Sequence, residues 1–115
     1  FVSPFEVGKA ILYPASSIEK DFNYVPKHPL VKAFEAYAKM PYDRPTWDPT
    51  SVLFVLEPQL FTLSPKGHVL VTDEAYTYFV PCAQGNCYYL KTTQAQNKAI
   101  LERFVKIITR KPANL

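Results

Sequence analysis

The chain has 115 residues, 48% hydrophobic and 20% charged, enough apolar surface to bury one core and too much for a disordered segment. Its formal charge of +3 is spread along the sequence and denser only at Lys106, Arg110 and Lys111, which argues against a nucleic-acid surface. No apolar run approaches the ~20 residues of a membrane-spanning helix, and three glycines are too few for a phosphate-cradling loop.

Phe1-Val2-Ser3-Pro4-Phe5-Glu6-Val7-Gly8 reads as the end of a buried strand followed by a turn, with no Met and no charged leader. A signal peptide would have to lie upstream of it. Ligands gather at the carboxyl ends of strands in open α/β sheets, which makes Glu6 a candidate polar contact; capping a nearby backbone or pairing with Lys9 is the competing role. Ser16 and Glu19 have the spacing of a capping box and predict a short helix over Ser17–Phe22, which Asn23 and Pro26 interrupt. His28-Pro29 then opens a second helix. Leu30, Val31, Phe34, Tyr37 and Ala38 recur at intervals of three and four along it, and Met40-Pro41 closes it.

The stretch from Tyr42 to Pro58 runs from a polar, aromatic loop into an apolar helix. Asp48 precedes Pro49, and proline suits a first helical position because its missing N–H has no intrahelical partner there. A helix beginning at this pair carries Val52, Leu53, Phe54, Val55 and Leu56, a run that implies burial on nearly all sides, and Pro58 stops it. Asp48 as a helix cap and Trp47 as packing are the plain readings. Against them, Tyr42, Asp43, Arg44, Trp47 and Asp48 crowd one loop, the place where binding groups are usually presented.

After Pro58 the pattern turns to alternation. Ser64-Pro65-Lys66-Gly67 predicts a turn, and His68–Thr72, Tyr76–Val80 and Cys87–Leu90-Lys91 predict strands of an antiparallel β-meander, with a turn at Asp73-Glu74. Cys82 and Cys87 flank Ala83-Gln84-Gly85-Asn86, a polar hairpin turn that would bring the sulfurs together. A disulfide there points to an oxidising compartment such as a periplasm, and two reduced thiols to the cytoplasm. Thr93 begins a last helix with Ile100, Leu101, Phe104, Val105, Ile107 and Ile108 on a broad apolar face, ended by Pro112. His28 and His68 have no metal-ligand spacing, and no Ser/His/Asp or Cys/His constellation supports nucleophilic catalysis.

The run Trp47-Asp48-Pro49-Thr50-Ser51-Val52-Leu53-Phe54-Val55-Leu56-Glu57-Pro58-Gln59-Leu60-Phe61, preceded by Pro41-Tyr42-Asp43-Arg44-Pro45-Thr46, resembles the C-terminal active-site segment of the inosine-uridine nucleoside hydrolases. That segment reads roughly His-Asp-Pro-x-Ala-Val-Ala-Tyr-x-x-x-Pro-x-x-Phe. The resemblance covers most of the chain. It implies hydrolysis of the N-glycosidic bond of ribonucleosides with calcium, places Asp48 among the calcium ligands, Trp47 against the base, and Tyr42 and Arg44 on a flap over the base. It names no catalytic residue within these residues. Two departures stand out: Trp47 occupies the position of a histidine that helps the base leave, and an indole cannot give a proton as an imidazolium can. The family's N-terminal aspartate cluster has no counterpart.

The resulting expectation is an α/β chain, the C-terminal part of an open-sheet nucleoside hydrolase fold. Residues 1–62 would hold the strand end and active-site helices, 63–92 the small antiparallel β-meander and 93–112 the C-terminal helix. The alternative, from another class, is a non-enzymatic binding or assembly module that uses the tyrosine-rich meander, with strand-paired homo-oligomers as its product.

Overall fold

A computed structural model describes residues 1–113. The amino-terminal half consists of α1 (Phe5–Ala10), β1 (Leu12–Tyr13), α2 (Ala15–Lys20), α3 (Pro29–Tyr37), β2 (Arg44–Pro45) and α4 (Trp47–Leu56). A 3-10 turn at Pro58–Leu60, β3 (Thr62–Leu63), β4 (Gly67–Val71), β5 (Thr77–Pro81), β6 (Leu90–Lys91) and α5 (Gln94–Ile108) follow. The architecture is mixed α/β, helices with short antiparallel strand pairs β1–β2, β3–β6 and β4–β5.

The expected strand end at the amino terminus contracts to one bridge, in which Val2 lies parallel to Tyr89, and Phe5 already begins α1. The helix expected from Ser17 starts earlier, at Ala15, because the Asp43 carboxylate accepts the Ala15 N–H at 2.9 Å and does the capping that Ser16 was expected to do. Ser17 instead turns inward, buried, to share a 2.8 Å hydrogen bond with Tyr13 Oη. At α3 the expected start holds: Pro29 is its first residue, and His28 Nδ1 accepts the Leu30 N–H at 3.2 Å; the helix ends at Tyr37, with Ala38 already extended, ahead of the expected stop at Met40-Pro41. Phe34 is its buried residue.

Helix α4 departs from expectation at both ends of the argument. Thr46, not Asp48, is its cap position, and Asp48 is exposed in the first turn. The apolar run is not buried all round. Leu53 is 2% exposed, whereas Val52, Val55 and Leu56 are 61%, 67% and 66% exposed. The helix packs on α1 and the 3-10 turn along one face only, and hydrophobic composition by itself supplies no second partner.

The meander is also rearranged. β4 and β5 form the expected hairpin in the register Gly67↔Pro81 to Val71↔Thr77, but residues 87–91 pass to the opposite side of β4. Gly67 exchanges both backbone hydrogen bonds with Cys87, at 3.0 and 3.1 Å, so Cys87 sits on the edge of β4 opposite β5, and the segment runs on into β6, which pairs with β3 in the register Leu63↔Leu90 and Thr62↔Lys91. Ser64-Pro65 then breaks the pairing, and Ser64 Oγ fills the gap by accepting the Tyr89 N–H at 3.0 Å. The loop between the cysteines wraps over Gly67 so closely that a Cβ on Gly85 would lie 2.3 Å from the Gly67 carbonyl oxygen. Both cysteines are free thiols.

Helix α5 closes the core. Thr93 and Gln96 form a capping box with bonds of 3.2 and 2.9 Å; the helix ends at Ile108, before Pro112. Ile100 (0% exposed) and Phe104 (3%) pack with Val7, Ile11, Ile18, Phe22, Leu53 and Leu90. Arg103 Nε donates to Glu57 Oε1 at 2.6 Å, tying α5 to the end of α4. The radius of gyration is 16.8 Å, against roughly 13 Å for a compact domain of this length, and the principal extents of 52 × 32 × 25 Å make the molecule elongated. Two truncations on one helix test the one-faced burial of α4. Leu53→Ala is expected to lower unfolding free energy by about 2–5 kcal/mol in urea titrations, and Val55→Ala to change it by no more than about 0.5 kcal/mol.

Candidate functional site

The pairing of β1 with β2 sets Tyr13 opposite Arg44. Two residues further on, α4 begins, and the turn between them frames a cavity of about 220 Å³ with Tyr13, Phe34, Arg44, Trp47, Asp48 and Ile108 on its walls. Three of the four residues to which the resemblance gives substrate or metal roles therefore border one space. The fourth, Tyr42, turns toward α3 instead: its ring stacks on Phe34 at 5.4 Å and its hydroxyl donates to the Phe34 carbonyl at 2.7 Å. It lines an adjoining groove of about 260 Å³, which shares Leu30, Phe34 and Arg44 with the first.

The guanidinium carbon of Arg44 lies 3.8 Å from the centre of the Tyr37 ring, a cation–π geometry that fixes its stem along α3. Trp47 is held more tightly. Its ring stacks on Phe5 at 5.2 Å, and Nε1 donates to the Phe5 carbonyl at 3.2 Å. A Cβ on Gly8 would fall 2.6 Å from both Trp47 Cα and Cδ1, so the glycine permits this contact. The indole is a fixed wall, 38% exposed. Asp43 belongs to the scaffold, through the Ala15 N–H.

Asp48 is the one carboxylate on the cavity wall. Among the described residues the ion pairs are Lys32–Glu35 and Arg103–Glu57, so Arg44 and Asp48 do not neutralise each other. Calcium takes about six to eight oxygens, several of them carboxylates, and among the described residues no three His, Cys, Asp or Glu side chains cluster. This chain's own donors do not fit a calcium site. Glu6, the other polar candidate, is exposed in the first turn of α1 and borders a different cavity. His28 serves as the cap of α3, and His68 lies in β4.

Tyr13, Phe34 and Ile108 complete the cavity without any signal in the sequence, since each arrives from a different element and reads locally as core. Burial pushes the Tyr13 phenol above its ordinary value; its hydrogen bond with Ser17 opposes the shift and the charge of Asp21 adds to it. Compared with protein-family models, with curated proteins and with solved structures, the chain matches none.

An acid whose folded value is raised keeps its proton longer in the folded state, so folding stability falls as pH climbs above about 10, the ordinary tyrosine value. Spectrophotometric alkaline titration is expected to show a late-ionising component that is lost in Tyr13→Phe, with unfolding setting in as it ionises.

Proposed function

We propose that the cavity between α3 and α4 takes the base of a ribonucleoside, and that the chain contributes this site to a nucleoside N-ribohydrolase of the inosine-uridine type. The observation that carries the reading is the convergence of Arg44, Trp47 and Asp48 on one cavity, three of the four residues on which the family resemblance places substrate and metal contacts; Tyr42 lines the adjoining groove. At about 220 Å³ the space is below the roughly 300–1,000 Å³ of common ligand pockets. It suits a single ring system, with the sugar toward the adjoining Tyr42 groove or solvent.

The apolar walls desolvate the base, and Arg44 offers donors to its ring nitrogens and carbonyl oxygens. Asp48 accepts from sugar hydroxyls and disfavours a phosphate at the same place. Trp47 supplies no leaving-group acid, and Asp48 alone cannot assemble a calcium centre. Binding without turnover is the share of the chemistry assigned to these residues; the remaining calcium ligands and the water-activating base would have to come from other residues.

Titration of the purified chain with inosine and uridine is expected to give saturable binding and no release of free base. Asp48→Asn and Arg44→Ala should each weaken it by about tenfold or more, the loss of one hydrogen bond to a charged group. Inosine 5′-monophosphate should bind more weakly than inosine. No binding, or binding unchanged in both variants, would overturn the proposal, and measurable hydrolysis would overturn this division of labour.

A second reading, an assembly module, is favoured by one specific observation. Leu70, Val71, Tyr76 and Tyr78 on the hairpin and Val52, Val55 and Leu56 on α4 are each 54–67% exposed, two groups of large apolar side chains of the kind that mark interaction surfaces when they are contiguous. Sedimentation velocity across a concentration series decides it: association that grows with concentration and is lost in Val55→Lys supports the module, and a monomer throughout removes it.

A further inference from the structure

Strand β4 has an outer edge whose backbone groups are left open in a regular way. Gly67 directs both its N–H and its C=O away from β5, to Cys87, whereas the Lys66 carbonyl and the Thr72 N–H bond across to Cys82 and Tyr76. Successive residues of a strand address opposite edges, so Val69 and Val71 also direct their N–H and C=O outward. Among the described residues neither makes a backbone hydrogen bond beyond the β4–β5 pair. From Gly67 to Thr72 no Lys, Arg, Asp, Glu or Pro blunts this edge, and an open edge is a template for another strand. The opposite edge of the hairpin carries Pro81, which has no N–H to offer.

We infer that this edge pairs with the same edge of a second copy of the chain, antiparallel about a two-fold axis through Leu70. In that register Val69 of each copy faces Val71 of the other, and each such pair exchanges two backbone hydrogen bonds. All the open groups are then used. An axis at Val69 would set Val71 of the second copy against Gly67, a place Cys87 already holds. An axis at Val71 would set Val69 against Asp73, which belongs to the turn. With the axis at Leu70, the incoming strand leaves the ladder after Thr72, at its own turn, where Cys87 stands. The exposed acidic tip Asp73-Glu74 of each copy then lies at the base of the other hairpin, beside Lys66, which is exposed and makes no ion pair among the described residues. Leu70 and its pair Tyr78 are 54% and 56% exposed in the single chain; across the axis the two leucines meet, with a tyrosine on the far side of each. This pairing gives the assembly reading, on which it rests, a partner and a register. It uses no residue of the Arg44 cavity or of α4.

The test is sedimentation velocity of the full chain over a concentration series, with Leu70→Lys and Leu70→Glu checked for folding by circular dichroism. Only a register in which residue 70 faces itself puts like charges together in each variant and opposite charges together in their mixture. The parent is expected to form a dimer as concentration rises, each variant alone to associate at least tenfold more weakly, and the equimolar mixture to dimerise again. Val69→Pro removes an outward N–H without touching the β4–β5 ladder, and should weaken association at least tenfold as well. A parent that stays monomeric, variants that associate like the parent, or a mixture that stays monomeric would each overturn the inference. Association kept in Leu70→Lys but lost in Val55→Lys would overturn it too, while leaving an assembly through α4 in place.

Discussion

Thr46 is the point through which the amino-terminal half is held together. Its N–H donates to the Gly8 carbonyl at 3.0 Å, its hydroxyl donates to the Ile11 carbonyl at 2.9 Å, and its own carbonyl accepts from Thr50 Oγ1 at 2.5 Å. With 3% exposure it makes these bonds out of reach of water, where leaving one unmade costs about 1–3 kcal/mol. The bonds fix the angle at which α4 leaves β2, and so place Arg44 and Asp48, on either side of Thr46, at the same cavity. Gly8 is the complementary constraint: its missing side chain lets the start of α4 approach the backbone of α1. A methyl group there would meet Trp47 backbone, and the whole junction would have to open.

The parts legible in the sequence are those whose cause is local. Pro29 beside a capping His28 announces α3, Thr93 announces α5, and Asp73-Glu74 marks the tip of the hairpin, because each depends on the dihedral angles and hydrogen-bonding capacity of neighbouring residues. The burial of α4 was not legible, since Val52, Val55 and Leu56 look alike whether or not something covers them. The placement of residues 87–91 was hidden for a related reason. Alternation identifies an extended segment but not its partner, and the partner was chosen by the close approach of Gly85 and Gly67 and by the break at Ser64-Pro65.

The same division runs through the candidate site. Arg44, Trp47 and Asp48 lie close in sequence around one turn, so their convergence is nearly a local fact. Tyr42 belongs to the same stretch yet faces away, because the second lone pair of the Phe34 carbonyl, which also accepts the Ala38 N–H, and the face of the Phe34 ring offer the hydroxyl and the tyrosine ring a better environment than solvent. Tyr13, Phe34 and Ile108 are brought in by packing over long sequence separations, which no short motif encodes. The aromatic residues also take different roles according to what restrains them: Trp47 is immobilised from two directions, whereas Tyr37 is two-thirds exposed, at 68%, under the Arg44 guanidinium.

The β4–β5 hairpin meets the rest of the molecule chiefly at its base, around Gly67 and the loop that folds over it. Its outer rungs therefore rest chiefly on their own ladder, with only a few contacts to the amino-terminal segment. Such an arm forms a separate cooperative unit with a lower opening free energy than the helical core. Amide protons of Leu70 and Thr77 would then exchange with solvent through fraying of the arm alone, while those of Leu53 and Ile100 await global unfolding. A spectroscopic melt monitored by the hairpin tyrosines would report a different event from one monitored by Trp47.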